Sequence, residues 1–425
     1  MKLLAGILLL ATSAFSQSHD KSAISGTWEG SATVRGQQVP LRLQISGPAS
    51  SLKAALINGA EEAPASSVSF ADGHLVLNFN YYARSLDATL ANGELTGTFG
   101  LVAALTEGSH AAPRVPFTLH PAAAKTAADT GGPDIKGDWE IAVKSAKGES
   151  AWQLRVEPSG VKVADIRAVI QRIDGDTGSL YGGWNGHEYT VSHFTAAGPA
   201  LYSLAPQADG TLVVSNLLTA EAQKAQQRDL VARRPAEARK ENLAAPTEST
   251  EQTTVKDPSK PFFFSFPDLS GKVVSNTDPQ FDGKVVIVAV GGSWCPNCHD
   301  EAPFLESLYK QFHGRGLEIV NLSFEEADQL KDPTRLRAFI ARYGLTYTVL
   351  VAGTPDELAE KIPQGEHLNC WPTSFILGRD GKVREVHAGF AGPANKPAHE
   401  ALKQEVTTLV EGLLAEPVPT QNASR

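Results

Sequence analysis

The chain has 425 residues, 42% of them hydrophobic and 20% charged, a composition typical of a soluble globular protein with two to four domains. Its formal net charge of −9 argues against a nucleic-acid binder and against a basic membrane-binding patch, while acidity by itself names no substrate. Three cysteines are too few for a disulfide-stapled scaffold, so a close Cys pair is read as chemistry rather than as a brace.

The first residues, MKLLAGILLLATSAFSQ, have one Lys, an apolar run from Leu3 to Ala11, and small residues around Ala14-Phe15-Ser16. This layout predicts a signal peptide over 1–16, cleaved after Ser16. The run is shorter than the roughly 20 residues a spanning helix needs. No Cys lies near the cleavage site for lipid attachment, so no transmembrane or lipid anchor is expected after cleavage. The expected compartment is the periplasm, where disulfides form readily.

Two stretches of the N-terminal half resemble each other. ISGTWEG at Ile24–Gly30 recurs as IKGDWEI at Ile135–Ile141, each followed by a segment of alternating apolar residues. LDATLANGELTGTF and LYSLAPQADGTLVVSNL each place an Asn-Gly or Asp-Gly turn between alternating runs, a strong hairpin signal. The pattern predicts a repeated antiparallel all-β half, with one unit over 22–123 and a second over 133–235, as sandwiches, barrels or halves of one. Trp28 and Trp139 are expected in the core. His110, His120, His187 and His193 have no ligand spacing, and the aromatic run NFNYYARSL reads equally as a binding face or a buried strand.

From 236 to 257 the chain is rich in charge, Ala, Thr and Pro, lacks aromatic residues, and reads as a linker. An α/β pattern follows over 258–416. KVVIVAV is a strand buried on both faces, and Phe304, Leu305, Leu308 and Phe312 fall at helical spacing after Pro296. LEIVNLSF and YTVLVAG are further strands, DPTRLRAFIARYG and TPDELAEKI helices, and TSFILGRDGKVREVHAGF a hairpin turning at Asp380-Gly381. An amphipathic helix through Leu402, Val406, Leu409 and Leu413 closes the domain.

The chemistry lies in GGSWCPNCHDE. Cys295-Pro-Asn-Cys298-His299 fits both a haem c attachment site and a redox dithiol. A core strand feeds directly into the motif, and the only Met, a common second haem ligand, is Met1, which disfavours haem. A zinc site with Cys370 lacks a second Cys or His pair at finger spacing. At the start of a helix, Cys295 is placed where free N–H groups favour a thiolate, with Cys298 one turn deeper as the resolving thiol. Neither a cofactor nor a metal is expected.

SWCPNC after the buried strand, HDEAPFLESLYKQF with its internal Pro303, and WPTSFILGRDGKV downstream make residues 258–416 resemble the TlpA/ResA-like thiol–disulfide oxidoreductases of the thioredoxin superfamily. The resemblance implies a thioredoxin-like α/β domain with a redox-active Cys295–Cys298 pair and a cis Pro372 facing it. It also implies substrate contacts at Trp294, Trp371, Pro372 and Thr373. Glu301, three residues after Cys298, matches the family's acidic position and is expected to take the Cys298 proton. Asp300 is expected to favour the helix dipole, His299 to cap or solvate the helix, and Cys370 to be a buried small residue or else a third thiol open to oxidation or mixed-disulfide formation. The activity implied is reduction of disulfides in exported proteins such as apocytochrome c, with a membrane or periplasmic protein as electron donor. Two alternatives are a peroxide-reducing redoxin, although no P-x-x-x-T-x-x-C pattern precedes Cys295, and a β-domain ligand- or partner-binding protein with an attached redox module.

Overall fold

The computed structural model of the protein describes residues 24–418 apart from 49, 103–113, 124–130 and 162–163. The expected signal peptide and His110 lie outside the described residues.

The first β unit is a nine-stranded antiparallel sheet between Gly26 and Pro121, in which the opening strand Gly26–Val34 pairs with Gln37–Ser46 on one side and Val115–Pro121 on the other. Its hairpin Arg84–Ala91/Glu94–Leu101 turns through Asn92 and Gly93, whose φ values of 52° and 80° match the twist of the flanking strands. The second unit, also nine strands, runs from Gly137 to Arg233. There Ala151–Pro158 pairs with both Gly137–Ala142 and Ile166–Arg172, which closes the ribbon into a barrel.

Trp28 and Trp139 are both buried. Each indole N–H donates to the carbonyl four residues back, at Ile24 (2.9 Å) and Ile135 (2.8 Å). The two units pack on each other: Phe194 of the second joins the core of the first, its ring 5.0 Å from that of Phe99.

The segment after the second unit carries two short helices, Pro235–Lys240 and Ser249–Gln252. It is docked rather than free. Ala238 and Thr253 are buried, and the Gln252 amide donates to Lys147 O (2.8 Å) and Asn369 Oδ1 (3.0 Å).

The C-terminal domain has a five-stranded mixed sheet: β1 (Val285–Gly291), β2 (Leu317–Phe324), β3 (Thr348–Gly353), β4 (Thr373–Leu377) and β5 (Val383–Ala388), in the spatial order β3-β2-β1-β4-β5. β1, β2 and β3 are parallel; β4 runs antiparallel to β1, and β5 antiparallel to β4. Alternation divides β1 between two cores. Val285, Ile287 and Ala289 face helices α1 (Pro296–Phe312), α2 (Thr334–Tyr343) and α3 (Lys396–Ala415). Val286, Val288 and Val290 face Phe262, Phe264, Phe266 and Phe281. This thioredoxin-like architecture places the β1–α1 junction and the start of β4 side by side. No helix among the described residues is long and apolar enough to cross a membrane.

Candidate active site

The site is built where β1 ends and α1 begins. Cys295 is the cap of α1, with Pro296 at the first helical position, where its missing N–H costs nothing. The Cys298 N–H donates to Cys295 Sγ at 3.2 Å, so an otherwise unpaired helix donor is spent on the outer sulfur. Cys298 points inward against Gly291, where an added Cβ would lie 3.1 Å from its Sγ. Both thiols are free, and burial pushes Cys298 well above the ordinary thiol range, with Cys295 and Glu301 adding to it. The outer thiol thus has a donor to support a negative charge, while the inner one is held as the neutral acid.

The loop ahead of Cys295 is held by a buried charged network. Glu325 accepts from the Ser293 N–H (2.8 Å) and hydroxyl (2.7 Å), and Arg335 donates to both Glu325 (2.8 Å) and Ser293 Oγ (2.8 Å). The Trp294 indole donates to Phe324 O (2.9 Å) and meets Trp371 edge to face at 5.4 Å.

The Trp371–Pro372 bond is cis. Thr373 is fully buried and its hydroxyl donates to Cys370 O at 2.9 Å. Cys370 is likewise fully buried, and its thiol is pushed up to about 12 by burial and the neighbouring Asp174.

Glu301 lies one turn beyond Cys298 and is buried, accepting from the Ser374 hydroxyl at 2.8 Å. Burial lifts its carboxyl to about 7 against the opposing Ser374 bond. A cavity of about 10 Å³ beside it is lined by Ser374, His387, Phe390 and Leu402 among others, close to the room one water needs. His387 is buried, its Nδ1 has no hydrogen-bond partner, and its Nε2 bonds Glu385 at 2.5 Å. Glu385, His387 and Glu405 bring three ligand-type atoms within 4.8 Å, so this trio could hold a cation.

Two expectations are corrected. His299 neither caps nor meets solvent: it is buried, bonded to Ser293 O (2.9 Å) and the Tyr343 hydroxyl (3.0 Å), and burial lowers it to about 3, so the ring is neutral. Asp300 does not behave as an acid favoured by the helix dipole. Its carboxyl is raised well above the usual range, first by burial and then by Asp176 and Glu61. Both corrections share a cause: the N-terminal half packs on the face that carries the dithiol.

Tyr82 of the first β unit stacks on His299, and its hydroxyl is raised by burial and by Tyr343, Asp300 and Cys295 around it. From the second unit, the turn Ile173–Asp176 reaches Trp371 and Phe390. Cys295 itself is only 2% exposed. Asp174, Asp176, Tyr82 and His387 were not singled out in the sequence. The aromatic run Asn78–Leu86 was the one trace of this interface, and nothing local marks the other three.

A dithiol at a strand–helix junction, with a cis-proline beside it, defines a thioredoxin-like thiol–disulfide oxidoreductase domain. Residues 259–386 match the model of the AhpC/TSA family. "Thiol-disulfide oxidoreductase ResA" of Bacillus thuringiensis (strain Al Hakam) is 32% identical over 126 residues, 30% of this chain and 66% of that relative. The chain therefore spans just under two thirds of its length. "Thioredoxin-like protein YneN" of Bacillus subtilis is 28% identical over 34% of this chain and 78% of its own length. The crystal structure of a thiol:disulfide interchange protein of the thioredoxin family from Chlorobium tepidum TLS is similar over 38% of this chain and all of its own, at 25% identity and a TM-score of 0.29. The C-terminal domain is similar to these thiol–disulfide oxidoreductases; the β half lies outside the family match and the ResA alignment.

Proposed function

We propose that the protein is an exported, periplasmic thiol–disulfide oxidoreductase in which Cys295 attacks and Cys298 resolves. The observation that carries the reading is the asymmetry of the pair: Cys295 Sγ accepts a helix N–H, whereas Cys298 is buried beside a carboxyl lifted to about 7.

In the reductive direction, Cys295 thiolate attacks one sulfur of a substrate disulfide and the other leaves as a thiolate. Glu301 carboxylate takes the Cys298 proton, and the new thiolate attacks Cys295 Sγ, releasing the second substrate thiolate and leaving a Cys295–Cys298 disulfide. Two electrons have passed to the substrate, and an electron-donor protein restores the dithiol. Disulfides of exported proteins, apocytochrome c among them, are the substrate class that the ResA likeness favours. Trp294, Trp371, Pro372 and Thr373 form the substrate side of the site, with Thr373 acting through its backbone because its side chain is buried. We read the two β units as copies of one unit, supported by the matching Trp28 and Trp139 contacts.

Trapping tests the roles. With Cys298→Ser, an exported protein disulfide should accumulate as a mixed disulfide on Cys295, while Cys295→Ser should trap nothing. Adducts forming equally on Cys298 or Cys370 would overturn the assignment.

A second reading, a β half that binds a ligand, is favoured by a cavity of about 520 Å³ between the two β units, lined by Glu29, Arg42, Tyr181 and His193 among others. Retained binding of a small molecule by the Cys295→Ser, Cys298→Ser chain would support it.

A further inference from the structure

The N-terminal half lies outside the family match, yet its contacts with the dithiol face are specific. The Trp371 N–H, next to the cis-proline, donates to Asp174 Oδ1 at 3.1 Å. The Phe390 N–H donates to Asp174 O at 3.0 Å, and Gly175 and Phe390 form a parallel β-bridge. The intervening Gly389 N–H is already bonded to Pro372 O (2.7 Å), which ties the two donor segments into one edge. That edge therefore bonds a segment from outside the domain, through the Asp174 carboxylate at Trp371 and main chain to main chain at Phe390, and the segment belongs to this chain.

The fit is close enough to require glycine on both sides. A Cβ on Gly389 would lie 1.8 Å from Ile173 O, and one on Gly175 would lie 2.3 Å from Phe390 O. The turn is also fixed from behind. Lys147 pairs with Asp174, the Ile173 N–H donates to Glu149 (2.8 Å), and the Asn395 N–H donates to Asp176 Oδ2 (3.2 Å).

We infer that the N-terminal half is a built-in occupant of the groove: the Ile173–Asp176 turn holds the place of an incoming chain, and Cys295 reacts with a protein disulfide only when the turn leaves. Exchange at sulfur needs the attacking atom, the attacked sulfur and the leaving sulfur nearly in line. A Cys295 that is 2% exposed, with Tyr82 near it and Gly175 of the turn against Asn297 of the dithiol motif, offers no such approach. What enters the groove when it opens rests on the oxidoreductase reading; the occupancy itself does not.

The test uses the reduced full chain and a maleimide carried on a long polyethylene glycol, with Cys295 modification read by peptide mass. Asp174→Ala removes the bond to Trp371 and the Lys147 pair, and Gly175→Val wedges the turn off Phe390. Both variants should be alkylated at Cys295 about tenfold faster or more than wild type, as expected for a local opening made easier. Reduction of a peptide disulfide should rise with it, a gain that an unfolded variant cannot show. Wild type alkylated as fast as both variants would overturn the inference. Hydrogen exchange on the unmodified protein gives a second reading without a variant. Protected amides at Trp371 and Phe390 support the closed turn, and exchange at the rate of a free loop refutes it. If the variants open Cys295 but reduce no disulfide, the occupant stands and the oxidoreductase reading falls. If all forms reduce the peptide and alkylate alike, the reading stands and the occupant falls.

Discussion

Tyr82 lies flat on His299, their ring centroids 4.1 Å apart and their planes inclined by 27°. One ring comes from the first β unit and the other from the helix that carries the dithiol. The contact helps to seal the imidazole from water, and that burial, against the opposing bond to Ser293 O, keeps the ring neutral. An aromatic contact of this kind contributes about 0.5–1.5 kcal/mol beyond the area it buries. Tyr82→Phe should be nearly neutral. Tyr82→Ala should lower stability by about 2 kcal/mol, somewhat less than the cost for a full core aromatic, and should raise the His299 pKa as water reaches the ring. Chemical denaturation and the NMR titration of the His299 ring check both. An unchanged His299 titration in Tyr82→Ala would show that the β unit does not govern its burial.

His299 and Glu301 make opposite pH signatures in the same window. His299 falls from its ordinary 6.5 to about 3 on folding, so between those values the unfolded chain binds a proton the native state refuses, and stability is lost as pH falls. Glu301 rises from 4.5 to about 7, so there the native state holds the extra proton, and stability is lost as pH rises. Each effect is worth roughly 3–5 kcal/mol at full extent, and in wild type they largely cancel. Glu301→Gln should therefore uncover a steep loss of stability on acidification between about pH 6.5 and 4. It should also slow the Cys298 step by about 10²-fold or more, within the usual range for a lost general base, while Cys295 alkylation stays unchanged. Equal pH–stability curves for wild type and Glu301→Gln would sink the assignment.

Three carboxylates from three parts of the chain meet at the interface: Glu61 from the first β unit, Asp176 from the second, and Asp300 from the dithiol helix. All three are raised, first by burial, and a Cβ on Gly392 would touch both Asp176 (3.0 Å) and Asp300 (2.5 Å). Nearby, Arg167 and His399 and the amides of Gly178 and Asn395 oppose the shift, and it persists. A raised acid favours the closed interface while protonated, so closure should weaken as pH climbs above about 4, the ordinary carboxylate value. Asp300→Asn should stabilise the chain at pH 8 and do little at pH 4. Thermal unfolding at the two values decides it, and a destabilised Asp300→Asn at pH 8 would mean that the charge is accommodated.

The parts legible in the sequence are those set by local physics. The strand around Val285–Val290 announces itself because both faces are buried, and α1 because its apolar residues follow the helical period from a proline start. The hairpin through Asn92-Gly93 is equally local. His299 was misread because its neighbours in sequence are polar helix-start residues, whereas its neighbours in space, Tyr81, Tyr82, Phe339 and Tyr343, come from two other elements. Asp174 was invisible for the same reason: its partner Trp371 N lies 197 residues away, and no spacing rule reaches that far.

The Glu325–Arg335 pair is buried on both sides, with side chains 0% and 3% exposed, and it holds Ser293 two residues before the dithiol. Breaking one partner leaves an uncompensated buried charge, which costs about 3–5 kcal/mol. Arg335→Met should pay that in full, because Glu325 then has only Ser293 and Ser323 as donors. The double variant Glu325→Gln, Arg335→Met removes the charge and should recover much of the stability. Stability and chemistry should part company here. The double variant takes from Ser293 its Arg335 donor and one of its two Glu325 acceptors, so the Cys295 loop loosens and the Cys295–Cys298 reduction potential shifts, even as the unfolding midpoint returns toward wild type. Denaturation together with a glutathione redox titration separates the two. A double variant that regains stability with an unmoved potential would show that the network supports the fold alone and leaves the dithiol untouched.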